Sequence, residues 1–185
     1  MRFRIQFALF SALLILSLFN CHRDGNEKSV AVTLAGEDWG ILFDQSADIL
    51  SPDFNTSSLE LTSVPSNFRN LNRTYRGPIW LRKSFEITKD QHDTTLALQL
   101  GRVYQTDEVF INGVLIGKGN SPFGENPQEH SFGRPRIYPI PHNLILEGEN
   151  TLVIRIDSDL STSAGIVTGP IRVLTYEEAI EGKNY

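Results

Sequence analysis

The chain has 185 residues, 40% of them hydrophobic, and a formal net charge of −5. That is apolar material for the core of one domain with a tail. The balance is mildly acidic and has no basic footprint, so nucleic acid is excluded as an expected partner; the charge bears on solubility.

The first twenty residues form a separate unit. Arg2 and Arg4 precede an uncharged run, Phe7 to Phe19. A membrane span takes roughly 20 apolar residues, so this shorter run has the build of a secretory signal. Cys21, the single cysteine, follows directly in "LSLFNC". This resembles the bacterial lipoprotein pattern, in which that cysteine becomes the acylated (palmitate-type) first residue. Leu18 fits the aliphatic position; Phe19 and Asn20 depart from the small residues favoured there. The alternative is an ordinary signal peptide with an incidental thiol. One cysteine has no partner, so no disulfide forms within the chain. Cleavage before Cys21 would leave 15 basic and 22 acidic residues, a net charge of −7. Residues 21–29, including "HRDGNEKS", then read as a polar tether.

From Val30 onward, short strand-like runs alternate with turn signals. "VAVTL" (30–34) and "WGILF" (39–43) come first, and "ADILSPDFNTSS" (47–58) reads as a loop. "LELTSV" (59–64) stops at Pro65, and a polar connection (66–78) follows. In "WLRKSFEI", Leu81, Lys83, Phe85 and Ile87 fall on one face, with Trp80, Arg82, Ser84 and Glu86 on the other. "TLALQL" puts Leu96, Leu98 and Leu100 on one face. "EVFI" and "VLIG" enclose Asn112-Gly113, the strongest short hairpin signal, although Asn112 is also a possible ligand contact. "RIYPIP" (136–141) is broken by two prolines and suits an edge strand. "NTLVIRID" puts Leu152, Ile154 and Ile156 inward and Val153, Arg155 and Asp157 outward. "GPIRVLTY" (169–176) is a last strand, and only "TYEEAIEG" offers a helical turn. About eight to ten such strands predict an all-β fold, an antiparallel sandwich rather than a closed barrel. The expected domain is 30–176, with 177–185 as a tail.

Chemistry-bearing motifs are sparse. No G-x-S-x-G, H-E-x-x-H, cysteine-pair zinc pattern, P-loop or dinucleotide fingerprint occurs. "GKGNSPFGEN" follows a hairpin strand and does not open a helix, so it does not read as a phosphate cradle. His22, His92, His130 and His142 lack ligand spacing, and no metal or cofactor is expected. Asp157 and Asp159 offer at most a structural calcium site; a solvated loop is the other reading. Asp107 and Glu108 are adjacent on a strand and point to opposite faces, so they cannot flank one glycosidic bond. Candidate ligand contacts are Trp80, Asp107, Arg134, Arg136 and Tyr138, because aromatic faces beside planar hydrogen-bonding groups suit a sugar.

Five segments in order carry a resemblance. "GPIWLRKSFEI" resembles the G-x-x-W-(Y/L)-R-x-x-F segment of the sugar-binding β-sandwich domain of family-2 glycoside hydrolases. "VFINGVLIGKGN", "LILEGENTLVIRI" and "AGIVTGPIRV" resemble its hairpin, its long strand and its closing segment; "LAGEDWGILF" with "SVPSN" resembles its opening. The resemblance implies a galactose-binding-like jelly roll. It also implies a module without the catalytic carboxylates, which in those enzymes sit on a separate barrel. Arg82, Asn112 and Gly113 carry over as structural positions. The loop "NSPFGENPQEHSFGRPR" departs from the hydrolase loops, so no sugar contact transfers there. The expected function is a non-catalytic, lipid-anchored cell-envelope module that binds carbohydrate through rim loops (119–136). The alternative is a docking module for a neighbouring envelope protein.

Overall fold

The computed structural model describes residues 31–43, 48–71, 75–119, 136–158 and 164–182. The expected signal peptide, Cys21 and the tether lie outside them. Among the described residues the strands are β1 (Val32–Thr33), β2 (Gly36–Phe43), β3 (Glu60–Val64), β4 (Gly77–Ile87), β5 (Leu96–Leu100) and β6 (Arg102–Tyr104). They continue with β7 (Asp107–Ile111), β8 (Val114–Gly119), β9 (Arg136–Pro139), β10 (Gly148–Ser158), β11 (Gly165–Thr168) and β12 (Arg172–Thr175). The larger sheet runs β3-β2-β4-β10-β7-β8, the smaller β1-β12-β5-β9, and β11 pairs with β6 in a short ribbon. Every described pairing is antiparallel. The all-β sandwich follows from period-2 alternation: each sheet turns its apolar face to the other.

The inward faces are those the alternation specifies. Leu81, Phe85 and Ile87 of β4 and Leu152, Ile154 and Ile156 of β10 join Leu96, Leu98 and Leu100 of β5 in one core. β9 is an edge strand, consistent with its proline. The sequence reading did not include β6 and β11, which are short and pair across about sixty intervening residues.

The outer face of the larger sheet differs from expectation. Trp80, Val153 and Phe110 point away from the main core, yet all are buried. With Ile49 they form a second apolar cluster, packed with Leu50 and Phe54 of the 48–58 segment and with Leu59. That segment, expected as a plain loop, makes two 3-10 turns (Asp48–Leu50 and Thr56–Ser58) and lies over the sheet.

Residues of the expected tail also pack. A short helix, Tyr176–Glu181, starts at a capping box made by Thr175 and Glu178. Its Ala179 is buried with Ala97 and Leu174.

Asn112 (φ 48°) and Gly113 (φ 82°) both take positive φ, as a type I′ hairpin turn requires. The Asn112 side chain is occupied as well. Its Nδ2 donates to Leu144 O (2.8 Å) and Asn150 Oδ1 (2.9 Å), and its Oδ1 accepts from Thr151 N (2.8 Å). The residue is therefore a turn and a brace between the hairpin and β10. Asn112→Ala should cost about 2–3 kcal/mol, from three lost partners and a strained positive φ. Asn112→Gly should cost roughly 1 kcal/mol less, because glycine adopts this backbone freely. Urea midpoints of the two variants measure the difference.

Candidate functional site: a groove on the outer face of the larger sheet

Three of the predicted contact residues converge, but inside the sandwich. Asp107 (β7) is 1% exposed and Tyr138 (β9) 7%. The Arg136 guanidinium forms an ion pair with Asp107, and Tyr138 OH donates to Asp107 Oδ2 at 2.5 Å. Arg136 also donates to the carbonyls of Gln105 (3.2 Å) and Val103 (3.4 Å). The cluster joins an edge strand of the smaller sheet to the larger one. It fits because β8 carries Gly117 and Gly119 on its inward face. A Cβ at Gly117 would strike the Tyr138 ring, and one at Gly119 would strike Arg136 and Asp107. The glycine-rich stretch thus serves close packing.

Trp80, at 3% exposure, is a core residue of the outer-face cluster. Trp80, Asp107 and Tyr138 are therefore placed in closed packing and not along a ligand-facing rim. Arg134 and the rim segment 120–135 lie outside the described residues, as does Asp159. Asp157 pairs with Arg155 at 2.8 Å.

Burial raises the Tyr138 hydroxyl to about 12, an effect only partly opposed by the Arg136 charge. The folded pKa lies above the ordinary value of 10. The stabilisation is thus complete below pH 10 and is lost as pH rises through about 12. About 2–3 kcal/mol should disappear across that window, and Tyr138→Phe should remove this component of the stability–pH curve.

Asp107 and Glu108 do face opposite ways. Glu108 stands on the outer face, 2.6 Å from Lys118 Nζ and 3.3 Å from Arg155 Nη1. The Lys118 hydrogen bond, with help from Arg155, holds its carboxyl below the usual range. His92 and His142 meet edge to face with ring centroids 4.5 Å apart, which their sequence spacing does not suggest. Among the described residues, no group of three or more His, Cys, Asp or Glu side chains is arranged to hold a metal ion.

An open concavity among the described residues lies elsewhere. A groove of about 470 Å³ runs over the outer face of the larger sheet, where the 48–58 segment stops short of covering it. Its volume is in the range of small-molecule sites. Leu50, Pro52 and Phe54 form an apolar wall, and Arg82, Ser84 and Thr151 line it from the sheet. Asn112, Gly113, Leu146 and Glu149 line the remainder. A second concavity of about 280 Å³ shares Thr56, Arg82 and Ser84 with it.

Arg82 is the centre of this surface. It is 8% exposed, and Nη1 donates to the carbonyls of Ile49 (2.5 Å) and Ser51 (3.2 Å), tying the 48–58 segment to β4. Its guanidinium carbon lies 5.9 Å from the centre of the Phe54 ring. Burial lowers the guanidinium pKa, and Glu149 partly offsets this. The signal was an arginine between Trp80 and Ser84 on the outer face of β4; nothing local showed that a distant loop would build a wall beside it. Glu149 was likewise unmarked.

The described residues thus form a two-layer antiparallel β-domain with an open groove on one outer face. The chain belongs to the family described as the beta-galactosidase second all-beta domain, matched over residues 43–161. A beta-glucuronidase of Formosa agariphila is 25% identical over 124 residues, covering 57% of this chain and 13% of that protein. A beta-glucuronidase of Streptococcus agalactiae is 30% identical over 95 residues, covering 47% of this chain and 16% of that one. A glycoside hydrolase family 2 beta-glucuronidase structure aligns over 80% of this chain and 18% of its own, with TM-score 0.63 and 17% identity. A Ruminococcus gnavus beta-glucuronidase structure aligns over 81% of this chain and 30% of its own, with TM-score 0.63 and 17% identity. The chain thus spans less than a third of each of these relatives. It has the accessory β-domain of family-2 glycoside hydrolases, a non-catalytic domain type.

Proposed function

We propose that the chain is a non-catalytic carbohydrate-binding module of the cell envelope, and that the outer-face groove is its binding surface. The observation that carries this reading is the groove's two-sided lining: an apolar wall with Phe54 opposite a polar floor of Arg82, Ser84 and Thr151. A sugar presents the matching surfaces, a CH face for the ring and hydroxyls for the polar groups. Trp80 and Tyr138 take no part in this version of the site. A glycan array probed with residues 30–185 tests it; no binding across a broad panel would count against the reading. Turnover of aryl glycosides that is lost on changing Asp107 or Glu108 to Ala, in a variant that a thermal melt shows to be still folded, would instead indicate an enzyme.

The docking alternative calls for a contiguous exposed apolar patch. Among the described residues, the exposed large apolar side chains are Leu71, Leu61 on the β3 edge, Val114 and Leu115 on the β8 edge, Leu146 at the groove, and Tyr176 and Ile180 on the C-terminal helix. The mixed apolar and polar lining of the groove is what favours sugar binding over docking. The lipid anchor rests on the signal-like run and Cys21. Labelling of cells with an alkyne palmitate should tag the protein, and Cys21→Ala should abolish the tag.

A further inference from the structure

We propose that the groove takes an acidic sugar, with the ligand's anionic oxygens seated on the Arg82 guanidinium. This rests on the carbohydrate reading above and names the class of sugar.

A buried guanidinium is costly unless its charge is met. The two carbonyl bonds to Arg82 orient it but bring no opposite charge. Three other cations have a carboxylate: Arg136 has Asp107, Arg155 has Glu108 and Asp157, and Lys83 has Asp38. Arg82 is more buried than Arg155, yet among the described residues no carboxylate lies within 4.0 Å of it. Its open side is the groove, which it lines together with Phe54 and the hydroxyls of Thr56, Ser84 and Thr151. One aromatic ring and three hydroxyls suit a polyhydroxylated ring better than a peptide. A planar guanidinium accepts a carboxylate or a sulfate ester in the same two-pronged way. The shared chemistry is therefore an oxyanion on a pyranose.

Glu149 also lines the groove and is exposed. Its charge opposes an anionic ligand, which makes it a useful lever: Glu149→Gln leaves the buried packing intact and alters only the field at Arg82.

Calorimetry on the full chain, in a sugar-free detergent, would compare four probes: trigalacturonate, its methyl ester, a 6-sulfated galactose oligosaccharide and polyglutamate. The acid should bind about tenfold more tightly than its ester, as a charge-assisted bond exceeds a neutral one. The advantage should shrink with added salt. In Glu149→Gln the acid-to-ester ratio should rise by about threefold, the effect of removing one screened repulsion. A still tighter sulfated probe would support the inference and identify the sulfate ester as the source of the anion. Equal affinity for acid and ester would overturn the inference and leave the carbohydrate reading standing. A ratio unmoved in Glu149→Gln would overturn the placement at Arg82. Polyglutamate binding as tightly as trigalacturonate would overturn the sugar class, and no binding of any saccharide would overturn both readings.

Discussion

Asp107→Asn should destabilise the protein by about 3–5 kcal/mol, the usual cost of removing one partner of a buried ion pair. The carboxylate is 1% exposed and meets both Arg136 and Tyr138. An asparagine amide fills the same space but carries no charge. Arg136 would keep the Val103 and Gln105 carbonyls but lose the opposite charge of Asp107. Because domains are stable by only about 5–15 kcal/mol, this one change should bring a large drop in the denaturant midpoint. Replacing the arginine as well, in Asp107→Asn with Arg136→Met, should recover part of the loss, since no uncompensated charge remains inside. A variant of wild-type stability that had lost sugar binding would instead return Asp107 to the list of ligand contacts.

Trp80→Ala should cost about 3–5 kcal/mol, through lost burial and the cavity left behind. The indole packs with Ile49, Phe110 and Val153, and Arg155 lies 5.8 Å from its ring centre. The cavity would open directly beneath the 48–58 segment, whose Ile49 is fully buried there. Limited proteolysis should therefore find new cleavage within 48–58, and a thermal melt should report the loss of stability. Trp80→Phe keeps an apolar ring and should be much milder. Any weakening of sugar binding in Trp80→Ala would follow from loss of the groove's wall, since Leu50 and Phe54 belong to the same segment.

These two residues show what one-dimensional patterning can and cannot resolve. Trp80 was correctly placed on the face of β4 opposite Leu81, because side chains alternate strictly along a strand. Alternation names a face but not what covers it. The 48–58 segment has no periodicity of its own, and its apolar residues (Ile49, Leu50, Phe54) are spread among turn formers. Only in three dimensions do they cap the sheet. Asp107 and Glu108 were correctly assigned to opposite faces. The partners of Asp107, Arg136 and Tyr138, lie about thirty residues on, across the sandwich, and no local signal joins them.

Asn112 was legible as a turn because Asn-Gly is among the few pairs that take two positive φ values cheaply. Its bracing bonds to Leu144, Asn150 and Thr151 were not, since they depend on where β10 passes.

The amino-acid order thus determined the strands, their inward faces, the hairpin turn and the ordered motifs of the family, all set by local sterics and short-range alternation. Tertiary structure alone decided that the predicted contacts Trp80, Asp107 and Tyr138 are enclosed and that Arg82 borders open space. Burial is a property of what packs over a residue, and those covering segments come from distant parts of the chain.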